Sequence, residues 1–241
     1  MKLITWNCNG ALRNKFESLL HFQADILIIQ ECEDPNKTKH NAYKEWASNH
    51  LWIGKNKNKG IGIFANDSTK LTKLEWFSGQ LELFLPCRIN DKFNILGVWT
   101  RQANSPNFGY IGQFWKYLQI NRAHFQDTGE SIIIAGDFNS NTQWDQWDRW
   151  WNHSDVVREL KFYGLESVYH KKRALNHGDE ETPTFYHYRK LSKPYHIDYI
   201  WLPSENMSEI AEFKIGEQEK WLSLSDHMPL YLLVKNNWLT K

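Results

Sequence analysis

Cysteine is scarce in this chain: its 241 residues include only Cys8, Cys32 and Cys87. The number is odd and no Cys-x-x-Cys spacing occurs, so neither a disulfide framework nor a cysteine-based zinc site is indicated. A reducing cytosol, and with it a cytoplasmic location, is the expectation. Long apolar runs are missing too. No stretch of about 18 apolar residues is available to span a membrane, and the opening MKLITWNCNG lacks the apolar region of a signal peptide. Charge of one sign is not in excess, since 29 Lys and Arg against 28 Asp and Glu leave a net +1. That balance argues against gripping nucleic acid by bulk charge and leaves local patches or metal ions to hold phosphate. Repeats, low-complexity tracts and Pro/Gly/Ser linkers are absent as well. The expectation is one domain over residues 1–241, a monomer with no obligate protein partner.

What is present is ordinary in bulk, with 41% hydrophobic and 24% charged residues, enough to bury a full core. Thirteen tryptophans are many. Such rings pack cores and also stack on bases and sugars, and composition does not choose between the two. Short β-type runs recur at Lys2–Trp6, Asp25–Gln30, Gly60–Ala65, Phe93–Thr100, Ser131–Gly136, His196–Trp201 and Pro229–Val234. Apolar spacing predicts helices over Leu12–Phe22, Tyr110–Asn121 and Asp155–Phe162, the last capped by Ser154. Strands and helices mixed in this order predict a sheet-based α/β sandwich.

Polar residues gather directly after the apolar strands, where α/β sheets place their chemistry. Asn7 and Asn9 follow the first strand in WNCNG, a segment that also reads as a turn. Glu31 follows DILIIQ, and a carboxylate there is a reasonable ligand for a hard cation or a solvated strand end. Glu33 and Asp34 beside it read as surface residues. In GDFNSN, Gly136 permits a sharp turn that lets Asp137 and Asn139 project together, with Asn141 just beyond. A carboxylate can position or deprotonate a water, and an amide can pin that water or a phosphate oxygen. Asp198 sits between apolar neighbours in HIDYIW and needs a partner, for which His227 or some Lys or Arg is available. Asp226 and His227 stand in a loop before PLYLLV, which lets both serve one site.

Taken together, an Asn, a Glu, a GD-x-N, an Asp in an apolar strand and an SDH resemble the endonuclease/exonuclease/phosphatase superfamily, closest to its exonuclease III and abasic-endonuclease branch. The resemblance runs from Asn7 to His227. WNCNG looks like the family's N-x-N-G opening and IIQE like its L-Q-E, while GDFN and SDH match outright. PTFYHY and HIDYIW resemble the branch's T-F segment and L-D-Y strand, with His196 where an Arg often stands. Trp99, Thr100 and Arg101 occupy the region where the abasic endonucleases carry a Tyr. The resemblance implies an α/β fold of the deoxyribonuclease type: a four-layer sandwich of two packed, mostly antiparallel mixed sheets flanked by helices. It implies a Mg²⁺- or Mn²⁺-dependent phosphodiesterase, a nuclease on DNA or RNA. The alternative is a phosphodiesterase or phosphatase on a nucleotide, lipid head group or inositol phosphate. Glu31, Asn9 and Asp226 would bind the metal. Asn7, Asp137, Asn139, Asp198 and His227 would be catalytic, and Trp99, Arg101, Asn141 and Tyr195 would touch substrate.

Three features stand outside that pattern. Trp144, Trp147 and Trp151 in QWDQWDRWW have helical spacing, which predicts a core stripe, with a stacking platform as the alternative. Lys55, Lys57 and Lys59 read as a solvated loop or a phosphate contact, and Lys171, Lys172 and Arg173 are judged the same way. His153, His170, His177 and His187 show no ligand-like spacing and are expected to be surface or structural, although His187 lies on the strand expected to line the cleft.

Overall fold

The computed structural model describes residues 1–102, 108–126 and 131–235. In chain order it contains β1 (Lys2–Asn7), β2 (Ile26–Cys32), β3 (His50–Asn56), β4 (Lys59–Ala65), β5 (Leu71–Lys73), β6 (Phe84–Ile89) and β7 (Phe93–Trp99). These are followed by β8 (Ile132–Asp137), β9 (Leu165–Ser167), β10 (Phe185–Tyr186), β11 (Pro194–Tyr195), β12 (Asp198–Pro203), β13 (Ile210–Ile215) and β14 (Leu230–Val234). One six-stranded sheet has the order β13-β14-β1-β2-β4-β3, the other β5-β6-β7-β8-β12-β9. Each has a parallel pair near its centre, β1 with β2 and β7 with β8, and antiparallel neighbours elsewhere.

The continuous apolar strands follow from burial on both faces. In β2, Ile26 and Ile28 point toward the facing sheet, while Leu27 and Ile29 join a cluster with Leu12, Phe16, Tyr43 and Trp221. In β8, Ile133 and Ala135 enter the same inner core, and Ile132 and Ile134 pack on Phe114, Tyr117, Val156 and Leu160 from two helices. One inner core and two outer ones give the four layers that the sequence resemblance implied. The helices over Ile111–Ile120 and His153–Phe162 are those the spacing predicted, within two residues.

Some local readings are corrected. Leu12–Phe22 is not one α-helix but two 3₁₀ pieces, Leu12–Asn14 and Phe16–Phe22, broken at Lys15. Buried Glu33, expected at the surface, accepts hydrogen bonds from the backbone N–H groups of Leu12 and Arg13 and tethers that turn. Asp34 is buried as well. The cap of His153–Phe162 is Asn152, paired with Asp155 in a capping box, rather than Ser154. Of the tryptophan run only Trp144 lies in a helical turn, the 3₁₀ piece Thr142–Trp144. Trp147 is 97% exposed and Trp150 66%, so the core stripe is overturned.

Gly136 has φ 150° within β8, and a Cβ there would lie 1.8 Å from the Val98 carbonyl oxygen. Gly136→Ala should therefore cost at least about 3 kcal/mol. Urea unfolding checks this, and an unchanged midpoint would refute it.

Candidate active site

The ends of β1, β8 and β12 meet where the two sheets face each other, and each delivers one polar side chain. Asp137 ends β8 directly opposite Asp198 of β12 in the antiparallel register. Two carboxylates at opposed positions repel unless something lies between them. His227 does so. Its Nδ1 is 3.0 Å from Asp198 Oδ2, and its Nε2 is 3.9 Å from Asp137 Oδ2. All three side chains are buried, as is Asn7.

Asp137 is held by donors from three directions. The Asn7 Nδ2 donates to Oδ2 at 2.9 Å across the sheet interface, and the Asn139 amide donates to the same oxygen at 2.8 Å. The Asn139 backbone N–H caps Oδ1 at 2.9 Å, which its left-handed conformation, φ 46°, makes possible. The SDH segment is fastened in turn. The Ser225 hydroxyl donates to the Asn7 carbonyl at 2.7 Å and accepts from the His227 N–H at 3.0 Å. Trp6 Nε1 donates to the His227 carbonyl. The Thr184 hydroxyl accepts from the backbone N–H groups of Ile197 and Asp198, fixing the start of β12.

These contacts set the charges. Burial pushes the Asp137 carboxyl up to about 7, against the pull of His227 and with the help of the Asp198 charge. Burial works against a charged His227, but Asp198 and Asp137 outweigh it and hold the imidazole up at about 10. A neutral-pH site thus offers an imidazolium donor beside a carboxyl poised between acid and base, the arrangement suited to general acid–base work.

A cleft of about 510 Å³ opens over this group. Asn9, Glu31 and Asp226 line it with Asn7, Asp137, Asn139 and His227. Glu31 reaches it because it is the extra residue of a β-bulge between Gln30 and Cys32, with φ 62°, which turns the side chain out of the strand pattern. Its carboxylate pairs with Lys59 Nζ at 2.7 Å. Glu31, Asp226 and Asn9 offer only oxygen donors, suited to a hard divalent cation, and the Lys59 ammonium against Glu31 shows that this corner favours positive charge. Asp137, Asp198 and His227 also form a group whose donor atoms could hold an ion.

The residues proposed to touch substrate separate. Tyr195 lines the cleft beside Trp144, ring centres 5.2 Å apart. Trp99 does not: it is 3% exposed in the core, capped by the side chains of Lys59 and Arg101. Arg101 lies outside the cleft lining, and Asn141 is buried. The Asn141 amide donates to the His196 carbonyl, and its oxygen accepts from the Gln143 N–H. Asn141→Ala should therefore cost about 1–3 kcal/mol of stability and leave KM unchanged, as thermal melts beside steady-state kinetics would show. Sequence reasoning did not place Tyr110, Phe185, Tyr188 or Ile197 at the site, yet they line the cleft. Tyr110 carried a usable signal only in standing at a helix start, where it adopts φ 49° and ψ −116°.

Residues 4–227 match the sequence model of the Endonuclease/Exonuclease/phosphatase family. The chain belongs to that family and is a phosphoric ester hydrolase of the nuclease and phosphatase class. No curated protein matches its sequence. Its fold is similar to that of a 3'-5' exonuclease from Neisseria meningitidis, at 18% identity and a TM-score of 0.73, over 98% of this chain and 100% of that one. It is also similar to a 3' phosphatase from Neisseria bound to a product DNA hairpin, at 16% identity and a TM-score of 0.67, over 98% and 99%. An AP endonuclease from Archaeoglobus fulgidus is similar at 17% identity and a TM-score of 0.68, over 97% and 99%. The two sheets and their helices are thus the deoxyribonuclease-like fold.

Proposed function

We propose that the protein is a divalent-metal-dependent nuclease that hydrolyses phosphodiester bonds of DNA or RNA by in-line attack of water. The observation that carries this reading is the Asp198–His227–Asp137 relay buried at the floor of a cleft with aromatic walls. Tyr110, Trp144, Phe185, Tyr188 and Tyr195 give those walls faces on which bases or sugars can stack, which a chain of net charge +1 needs in place of bulk basicity. The similar fold with a bound DNA hairpin supports a nucleic acid substrate here.

Glu31, Asn9 and Asp226 would hold Mg²⁺ or Mn²⁺, which when bound neutralises phosphate charge and stabilises the departing oxygen. Asp137 orients the attacking water and takes its proton. Asn7 and Asn139 fix the Asp137 carboxylate, so its free lone pair faces the cleft. His227, oriented by Asp198, donates from Nε2 to a non-bridging phosphate oxygen as charge grows there. Positioning and electrostatics together supply most of the rate.

The test is hydrolysis of plasmid, single-stranded DNA, RNA and bis(p-nitrophenyl) phosphate with and without Mg²⁺ or Mn²⁺. Cleavage of a polynucleotide and not of the small diester is expected. The reverse outcome would replace this reading with a small-molecule phosphodiesterase. A chelator should abolish activity, and Glu31→Gln should raise the Mg²⁺ concentration needed for half-maximal rate by about tenfold or more. A Glu31→Gln enzyme with an unchanged Mg²⁺ titration would remove Glu31 from the metal site.

A further inference from the structure

Four histidines and a glutamate crowd together behind the second sheet, on three segments distant in sequence. His153 begins the helix His153–Phe162, His170 lies in the helix Val168–Arg173, and His177 and Glu180 stand in the following loop, with His196 before β12. The donor atoms of His170, His177 and Glu180 all lie within 4.8 Å of one another. His170 Nε2 is 2.9 Å from Glu180 Oε1, and His153 Nε2 is 3.3 Å from His177 Nδ1. Two imidazole nitrogens on one tetrahedral zinc, each about 2.0–2.1 Å from it, stand about 3.3 Å apart. The His153–His177 separation equals an edge of that tetrahedron, and it is equally the length of a hydrogen bond between the two rings.

We propose that His170, His177 and Glu180 form a structural site for a transition metal of the zinc class, separate from the catalytic cleft.

The surroundings fit a ligand set. His170 Nδ1 is fixed by the Ser167 hydroxyl at 2.8 Å, the kind of outer contact that orients a metal-binding imidazole. His196, its ring centre 5.9 Å from that of His170, gives Nδ1–H to the Thr182 carbonyl and leaves a buried Nε2 with no partner. His153 Nδ1 is likewise buried and unpartnered. Neither nitrogen belongs to the donor set, but their lack of a partner marks a cluster whose donors outnumber its hydrogen bonds. Nitrogen-rich donors select zinc and its neighbours, whereas the oxygen donors of the cleft suit Mg²⁺ or Mn²⁺. The site would pin the loop that runs on to Thr184, whose hydroxyl sets the backbone of Asp198.

The full chain, stripped with chelator and dialysed, is titrated with Zn²⁺ by calorimetry and with Co²⁺ by absorbance. One equivalent with intense tetrahedral Co²⁺ bands is expected. Saturation at about a hundredfold over Kd should raise the melting temperature by roughly 5–10 °C. His177→Ala and the milder Glu180→Gln should weaken Zn²⁺ binding by at least about tenfold, while Asp226→Asn should leave the tetrahedral spectrum intact. Absence of Zn²⁺ binding by the folded wild type, octahedral bands only, or binding unchanged in Glu180→Gln would overturn the proposal. None of these readouts depends on nuclease activity.

Discussion

Asp137→Asn is expected to lower metal-dependent turnover on its polynucleotide substrate by at least about 10²-fold, the scale of a lost general base. The amide keeps the shape of the carboxylate but cannot take a proton from water. It also sets an NH₂ against donors that now converge on Asp137, namely the Asn7 amide and the Asn139 amide and backbone N–H. Circular dichroism and a thermal melt must therefore accompany the kinetics. The pH profile gives the sharper test. Because burial raises the Asp137 carboxyl to about 7, the base form is absent well below that pH and present above it. Wild-type kcat/KM should climb as pH rises through about 7, and that limb should vanish in Asp137→Asn. A folded Asp137→Asn protein with wild-type turnover would sink the assignment.

His227→Ala is the second large effect, again about 10²-fold or more in kcat. The imidazole stands between two carboxylates, and its removal leaves Asp137 and Asp198 opposed in register without a cation between them. The loss should thus exceed that of one hydrogen bond and should carry a stability cost near neutral pH. Wild-type activity should fall as pH rises toward about 10, where His227 loses its proton, and the alanine variant should lack that alkaline limb. Asp198→Asn separates orientation from charge. It should lower kcat and shift the alkaline limb to lower pH, because the largest contribution raising the His227 pKa is gone. An alkaline limb unmoved by Asp198→Asn would show that His227 is not the group titrating there.

Much of this site could be read from strand ends. Asn7, Glu31, Asp137 and Asp198 each sit at a boundary where an apolar run stops or is interrupted, and such a polar residue must find a partner or a ligand. The partnership of Asp198 with His227, one of the options open from sequence, is the contact found. The substrate wall was harder to read. Trp99 and Tyr195 are both aromatic residues near strand ends, yet one points into the core and the other into the cleft. Strand alternation and the packing of the facing sheet decide which, and neither is local. Lys59 shows the same limit: a lysine in a polar hairpin became a partner of Glu31 only because β2 and β4 pair and bulge at that point.

The histidines illustrate the point most plainly. His153, His170, His177 and His196 have no common spacing, and nothing in the chain order draws them together. Helix packing on the outer face of the second sheet does so. The sequence by itself determined the mixture of strands and helices, the buried strands β1, β2, β4, β7, β8, β12 and β14, and the identity of the polar groups that follow them, because burial and the two-residue strand period act on neighbours. The tertiary structure alone decided the bulge that aims Glu31, the opposition of Asp137 and Asp198 that calls for His227, and the aromatic faces of the cleft. Those depend on register between strands far apart in the chain, and register is set by the packing of whole sheets.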